Sequence, residues 1–80
     1  MDVNSKTEVE LRHETEKWYA KVIEKRKKIK SKSEYMKNID AYISDSQHFL
    51  KKGDLIRAFE SVVWAWAWIE ILEDLKIISD

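Results

Sequence analysis

The sequence predicts an all-α fold, a three-helix bundle with helices at about residues 5–30, 34–52 and 55–77, in a single domain spanning residues 1–80. Three observations support this prediction: apolar side chains recur at steps of three and four, proline is absent, and the only glycine, Gly53, stands between two helical patterns. Short connections make neighbouring helices antiparallel. A core of this size stabilises a fold by only about 3–5 kcal/mol unless disulfides, a metal or oligomerisation reinforce it, and of these oligomerisation remains open.

The first helix is predicted from an apolar face whose members recur every three or four residues. Ser5 and Glu8 have the spacing of a capping box, in which each side chain satisfies a free backbone amide of the first turn. The helix ends among lysines and arginines, which are favourable beside the negative end of the helix dipole. The predicted core-facing residues are Leu11, Thr15, Trp18, Val22 and Ile29.

The second helix is predicted to begin after Ser33, whose hydroxyl can cap its first turn, and to end at Lys52. Gly53 then supplies the left-handed residue that closes a helix, and Asp54 caps the next one. Two caps side by side predict a tight reversal. The predicted core face of the second helix contains Tyr35, Met36, Ile39, Tyr42, Ile43, Ser46, Phe49 and Leu50.

The third helix carries more apolar surface than one core face requires. One face is predicted to contact the other two helices. A second stripe follows at steps of four, three and four on the opposite side, and in water it would expose on the order of 300–600 Å² of apolar surface. The predicted core face contains Leu55, Ala58, Phe59, Val62, Ala65, Trp66 and Ile69, and the second stripe contains Trp64, Trp68, Ile71 and Leu75.

This second stripe is the predicted partner-binding site, for a protein partner or for a homodimer in which the third helix crosses its symmetry mate. The alternative is that the first helix wraps around the third and buries both faces within one chain. A β-strand is a further alternative, because Trp64, Trp66 and Trp68 alternate with alanines. The surrounding helix-forming residues and the lack of a second strand-like segment disfavour it.

No catalytic, cofactor-binding or metal-binding residues are predicted, so the protein is expected not to be an enzyme, and no small-molecule substrate is evident. Cysteine is absent, and a single glycine rules out a glycine-rich phosphate loop. Glu10 and His13 have the carboxylate-x-x-His spacing of dinuclear metal bundles. Asp45 and His48 repeat it, but both histidines are predicted to point away from the core faces. Glu70 is expected to pair with a cation of the first helix.

A basic run at the end of the first helix offers an alternative function, weak nucleic-acid binding. Its cations are Lys25, Arg26, Lys27, Lys28, Lys30 and Lys32. The formal net charge of the chain is zero, with ten Lys/Arg against six Asp/Glu in residues 1–33 and five against nine in residues 34–80. Attraction between a basic and an acidic half explains this asymmetry without a nucleic acid, so protein interaction is the preferred hypothesis.

Composition and hydropathy predict a cytoplasmic protein with no membrane partner. The longest apolar run, residues 62–69, is far shorter than the roughly 20 residues that span a bilayer, and no leader-like segment is recognisable. A charged fraction of 38%, without cysteine or proline, is typical of thermophile proteins.

Several motifs between Tyr42 and Glu70 carry a family resemblance: a Phe-Leu pair at 49–50, the Gly-Asp turn at 53–54 and the tryptophan-rich helix that follows. Together they resemble an archaeal family of small helical proteins, the domain of unknown function 357 family. The resemblance implies a small archaeal helical domain and brings no established activity and no catalytic residues. Ala67 stands where the family prefers glycine, and larger residues at 71–72 replace its usual small pair, which implies a more hydrophobic face.

A similar aromatic-leucine-x-x-Gly-Asp hairpin occurs in helical domains that accompany toxins and nucleotidyltransferases. Some of those are ribonucleases with an arginine followed a few residues later by a histidine. No histidine follows Arg57, and Arg12 and His13 are adjacent, so this second resemblance implies no ribonuclease activity here.

Overall fold

A computed structural model describes residues 3–30 and 33–78, with side chains from residue 6 onward. It contains three helices, α1 (Val3–Lys28), α2 (Tyr35–Lys52) and α3 (Leu55–Asp74), and no strand within the described residues. The all-α prediction is confirmed, and the strand alternative for the tryptophan-rich segment is wrong. Because α1 begins at Val3, Ser5 lies inside its first turn rather than before it; the side chain of Ser5 is outside the described residues.

The three helices form an elongated bundle of 48 × 18 × 17 Å in which α3 contacts both other helices. Tyr35 meets Trp68 and Tyr42 meets Trp64, so α2 and α3 are antiparallel. On the other side of α3, Trp18 of α1 meets Trp66 and, further along both helices, Lys25 meets Glu73. The helices α1 and α3 are therefore parallel. The helix α1 packs mainly against α3 and only slightly against α2.

The connection between α2 and α3 is as tight as the sequence predicts. Gly53 has a φ of 78°, and its N–H donates to the carbonyl of Leu50 at 3.1 Å. The N–H of Asp54 reaches back to Phe49 at 2.9 Å, which completes a Schellman motif. The carboxylate of Asp54 then accepts from the N–H of Arg57 at 3.2 Å and caps α3.

The start of α2 differs from the prediction by one residue. Glu34 occupies the N-cap position and makes no capping hydrogen bond with its side chain. The hydroxyl of Ser33 instead accepts from the N–H of Tyr35 at 3.2 Å. Ser33 therefore satisfies a first-turn amide, as predicted, but from the position before the N-cap residue.

The core lies along the line where the three helices meet. Its fully buried apolar residues include Val22, Ile39, Val62, Ala65, Ile69 and Leu72. Two buried hydroxyls are satisfied by carbonyls: Thr15 donates to Leu11, and Ser46 donates to Ala58, both at 2.7 Å. Among the described residues, no buried side-chain nitrogen or oxygen lacks a hydrogen-bond partner.

Two residues that were predicted to be in the core are exposed, and six others, Leu11, Tyr42, Phe49, Leu50, Phe59 and Trp66, are only partly buried at its edge. Trp18 is 37% exposed and Tyr35 is 43% exposed. Trp18 meets Trp66 of α3 edge to face and Tyr35 stacks on Trp68, and neither inserts between helices because aliphatic side chains already fill the central space.

The end of α3 comes three residues earlier than predicted, at Asp74 rather than residue 77. Lys76 adopts a left-handed φ of 60°, and the N–H of Ile77 donates to the carbonyl of Leu72 at 2.9 Å. This is a second Schellman motif, built without glycine. It turns the chain back so that Ile78 is buried in the core.

The two left-handed positions predict opposite effects of substitution. Gly53→Ala is expected to lower the free energy of unfolding by about 1 kcal/mol, because a positive φ is unfavourable for a residue with a Cβ. No atom lies within 4 Å of the added Cβ, so backbone strain is the only local cost. Lys76→Gly relieves the same strain and is expected to raise the free energy of unfolding by about 0.5–1 kcal/mol. Urea denaturation measures both; shifts of the same sign would contradict this account.

Candidate functional site

The helix α3 carries three parallel rows of side chains, each spaced at four and three residues. What we name the core row faces the bundle interior, the groove row faces the edge shared with α1, and the outer row lies toward the edge shared with α2 and toward solvent. The core row contains Ala58, Val62, Ala65, Ile69 and Leu72, the groove row contains Phe59, Val63, Trp66, Glu70 and Glu73, and the outer row contains Trp64, Trp68, Ile71 and Leu75.

The outer row is the predicted partner-binding stripe, and the structure divides it into two halves. Trp68 stacks on Tyr35 with ring centroids 5.9 Å apart, and Trp64 stacks on Tyr42 at 6.3 Å, each at an interplanar angle of 20°. Trp68 is half-buried and packs against the core, whereas Trp64 remains 51% exposed. The two tryptophans are therefore anchored on α2, and the prediction that the whole stripe lies opposite the core is wrong.

The second half of the outer row points to solvent. Ile71 is 47% exposed and Leu75 is 63% exposed. They continue the line of the two stacked tryptophans along α3, so rigid aromatic rings and uncovered aliphatic side chains form one continuous apolar surface. Such a surface is typical of a site that binds another molecule.

A groove between α1 and α3 is a second feature, with a volume of about 650 Å³. Trp18 of α1 meets Trp66 of α3 edge to face, with ring centroids 6.0 Å apart and planes at 87°. The indole N–H of Trp66 donates to the backbone carbonyl of Trp18 at 3.2 Å, which fixes the ring. The ammonium of Lys21 lies 4.7 Å from the centroid of the Trp18 ring. The remaining lining residues are Lys25, Phe59, Val63, Glu70 and Glu73.

The charges in this groove differ from the sequence-based expectation. Glu70 was expected to pair with a cation of the first helix, but it is Glu73, one turn later, that binds Lys25 at 2.7 Å. Glu70 is exposed, and no ion pair reaches it from the described part of the chain. The groove is not evident from the sequence, because helical spacing places Trp18, Phe59 and Trp66 on core-facing sides, and only their partial exposure shows that they line a surface.

The basic run at the end of α1 is partly neutralised within the protein. Arg26 binds Asp40 of α2 through two nitrogens, at 2.6 and 3.0 Å. This hydrogen bonding raises the pKa of the Arg26 guanidinium above its usual value. Lys25 is engaged by Glu73. The basic end of α1 is thus joined to carboxylates of both α2 and α3, which belong to the acidic half of the chain, as the uneven charge distribution predicts.

The remaining cations of that run lie at the surface. Lys27 is 3.4 Å from Glu24 in an exposed pair, and Lys28 and Lys30 are exposed. Lys32 lies outside the described residues. Three described lysines therefore remain for contact with an anionic partner.

The two histidines lie on the surface of separate helices. His13 and His48 are both exposed, and the ring of His48 packs edge to face against Phe49. Within residues 3–30 and 33–78, no group of three or more His, Cys, Asp or Glu side chains is placed to hold a metal ion. No helix in the same ranges is both long enough and apolar enough to cross a bilayer.

Comparison with known proteins identifies the family. The model of the family described as "Protein of unknown function (DUF357)" matches residues 10–78. The chain belongs to the DUF357 family. A crystal structure of a DUF357 protein, AF1782 from Archaeoglobus fulgidus, superposes with a TM-score of 0.88 at 53% sequence identity, covering 92% of this chain and 97% of that one. No curated protein matches the chain.

The residues that the family resemblance contrasts with its usual pattern, Ala67, Ile71 and Leu72, lie in different environments on α3. Ala67 is half-buried beside the tryptophans. Of the enlarged pair, Leu72 is only 1% exposed and fills the core, whereas Ile71 belongs to the outer row and is 47% exposed. One larger residue therefore adds to stability and the other adds to the exposed apolar surface.

The stacking of Trp68 on Tyr35 predicts an energetic coupling between the two residues. In a double-mutant cycle with Tyr35→Ala and Trp68→Ala, the coupling is expected to be about 0.5–1.5 kcal/mol, because offset aromatic pairs contribute beyond their buried area. A matched cycle of Tyr35→Ala with Trp66→Ala, whose ring packs on the α1 side, is expected to be additive. Urea unfolding supplies all the values. Equal coupling in both cycles would show that the tyrosine acts through general packing instead.

Proposed function

We propose that this DUF357 protein is a non-enzymatic interaction module that pairs with a second copy of itself through the outer row of α3. The observation that carries the proposal is the exposure of Ile71 and Leu75 directly in line with two stacked tryptophans. Rigid aromatic rings bury a large area at low conformational cost, and the neighbouring aliphatic side chains have no cover within the described chain.

The exposed area agrees with the requirement of a homodimer. The exposed parts of Tyr35, Trp64, Ile71 and Leu75 provide on the order of 400–500 Å² of apolar surface. A standard interface buries about 800 Å² per partner, and roughly 65% of a homodimer interface is apolar, which is about 500 Å². The two areas are similar, so a second copy covers the surface without any larger rearrangement.

The spacing of the outer row also favours a symmetric pair. When two copies of α3 cross in antiparallel fashion about a two-fold axis midway along the row, Trp64 lies opposite Leu75 of the second copy. Trp68 lies opposite Ile71 of the second copy in the same arrangement. Each bulky ring then packs against an aliphatic side chain, and no ring is forced against its own symmetry mate.

A non-enzymatic role is supported by the placement of the ionisable groups. General acid–base catalysis requires a histidine or carboxylate in a cleft that excludes water. His13 and His48 are exposed on different helices, and Glu70 is exposed at the edge of an open groove. These groups do not converge on one point.

The nucleic-acid alternative has less support from the geometry. Lys25 and Arg26 bind carboxylates of α3 and α2, so they hold the bundle together rather than project to solvent. Phosphate binding depends on the number of free cations. Three lysines on one helix end would give weak, strongly salt-dependent binding, and no exposed aromatic ring is interleaved with them in the described residues.

The self-association proposal is tested by solution mass. The double variant Ile71→Glu, Leu75→Glu is expected to be a monomer under conditions where the wild-type chain is a dimer, because two pairs of carboxylates would be forced into an apolar contact. Light scattering across a concentration series measures the mass. Both side chains are exposed in the single chain, so helicity is expected to change little.

The matched control is Val9→Glu, Ile56→Glu. These aliphatic residues are 68% and 74% exposed, comparable with the outer row, but they lie near the other end of the bundle. The control is expected to remain dimeric. A wild-type chain that is monomeric at all concentrations would reject the proposal, as would equal dissociation of both double variants.

A further inference from the structure

The groove between α1 and α3 has the side-chain pattern of an unoccupied helix-packing site. The groove row repeats the spacing of the core row one residue further along α3: core residues Val62, Ala65 and Ile69 are each followed by Val63, Trp66 and Glu70. Rows spaced at four and three residues are the surfaces through which helices pack on one another. The core row packs against the other helices of this chain. In the groove row, Trp66 and Glu73 contact α1, whereas Val63 and Glu70 are exposed.

The dimensions of the groove favour an elongated occupant over a compact one. The groove row extends from Phe59 to Glu73, which is about 21 Å along the helix axis, or roughly four turns. Its far wall is formed by Trp18 and Lys25, two turns apart on the parallel helix α1. Because α2 packs against the other edge of α3, through Tyr35 and Tyr42, a helix added in the groove would give a four-helix arrangement.

The charge of the groove defines the chemistry of the occupant. The part of the groove nearer the N-terminus of α3 is apolar and aromatic, formed by Trp18, Phe59, Val63 and Trp66. The part nearer the C-terminus of α3 carries two carboxylates. Glu73 binds Lys25, whereas Glu70 has no ion pair within the described residues. Glu70 therefore places a carboxylate without an ion pair from the described residues at the end of an apolar surface, where a basic side chain held by apolar neighbours would be complementary.

We infer that this groove binds an amphipathic helix of another protein, apolar at one end of its contact face and basic at the other. The apolar residues of that helix pack against Trp18, Val63 and Trp66, and a lysine or arginine reaches Glu70. This is a helix-in-groove contact, in which side chains spaced at three and four residues on the bound helix insert into the groove. This site differs from the outer row, and the inference does not depend on self-association.

Two synthetic peptides test the inference. The first is an 18-residue helical peptide with leucines at steps of four and three, followed on the same face by two lysines; the second has glutamates in place of those lysines. Both are titrated against the full chain carrying Ile71→Glu, Leu75→Glu, so that pairing through the outer row does not compete. At low ionic strength the lysine peptide is expected to bind about tenfold more tightly than its twin, by calorimetry.

Reversing the charge of one protein side chain shows where the peptide binds. Glu70→Lys is expected to abolish or reverse the preference between the two peptides. Glu60→Lys makes the same change of charge at an exposed position of α3 outside the groove lining, and it is expected to leave the preference within about twofold of its original value. Amide chemical-shift changes are expected at Trp18, Val63 and Trp66.

Three results would overturn the inference. They are equal binding of the two peptides, equal effects of Glu70→Lys and Glu60→Lys, and no peptide binding at all. Benzyltrimethylammonium serves as a further probe: if it shifts the groove resonances while neither peptide does, the groove is a site for a small organic cation and not for a helix. Self-association is measured separately by light scattering on the wild-type chain, so failure of one proposal is distinguishable from failure of the other.

Discussion

The close approach of α2 to α3 is the contact on which the rest of the bundle depends. Ser46 and Ala58 are fully buried where these helices meet, and the Ser46 hydroxyl donates to the Ala58 carbonyl at 2.7 Å. Small side chains let the two backbones come near each other, and the Gly53 turn fixes their relative register. From that point the antiparallel register places Tyr42 against Trp64. Two turns further along α2, it places Tyr35 against Trp68.

The helix α1 completes the core by different means. It packs mainly along one side of α3, where Trp66 is held edge to face against Trp18 and hydrogen-bonded to its carbonyl. Ion pairs then tie its basic end to both other helices, through Arg26 to α2 and Lys25 to α3. Two helices cannot surround a third, so one side of α3 remains in contact with solvent. The exposed apolar surface of α3 is thus a consequence of a three-helix arrangement combined with an unusually apolar third helix.

The proposed function follows from this geometry and not from a reactive centre. DUF357 membership and the similarity to the Archaeoglobus fulgidus protein establish the fold and the family, whose description assigns no activity. Within that fold, this chain places a rigid aromatic surface on one edge of α3, and on the other an aromatic groove whose Glu70 has no ion pair from the described residues. These two surfaces are the basis of the proposed contacts with other helices.

The sequence by itself determined the three helices, the Gly53 turn with its Asp54 cap, most of the core and the pairing of a basic with an acidic half, because these depend on local periodicity, capping and net charge. Only the tertiary structure decided which aromatic residues stack on α2 and which line the groove beside α1. Helical periodicity gives the angle of Trp64, Trp68 or Trp18 around its own helix, but it does not give the distance to the neighbouring helix. That distance decides that the tryptophans of the outer row stack on α2, that Trp18 lines a groove, and that Glu73 rather than Glu70 reaches Lys25.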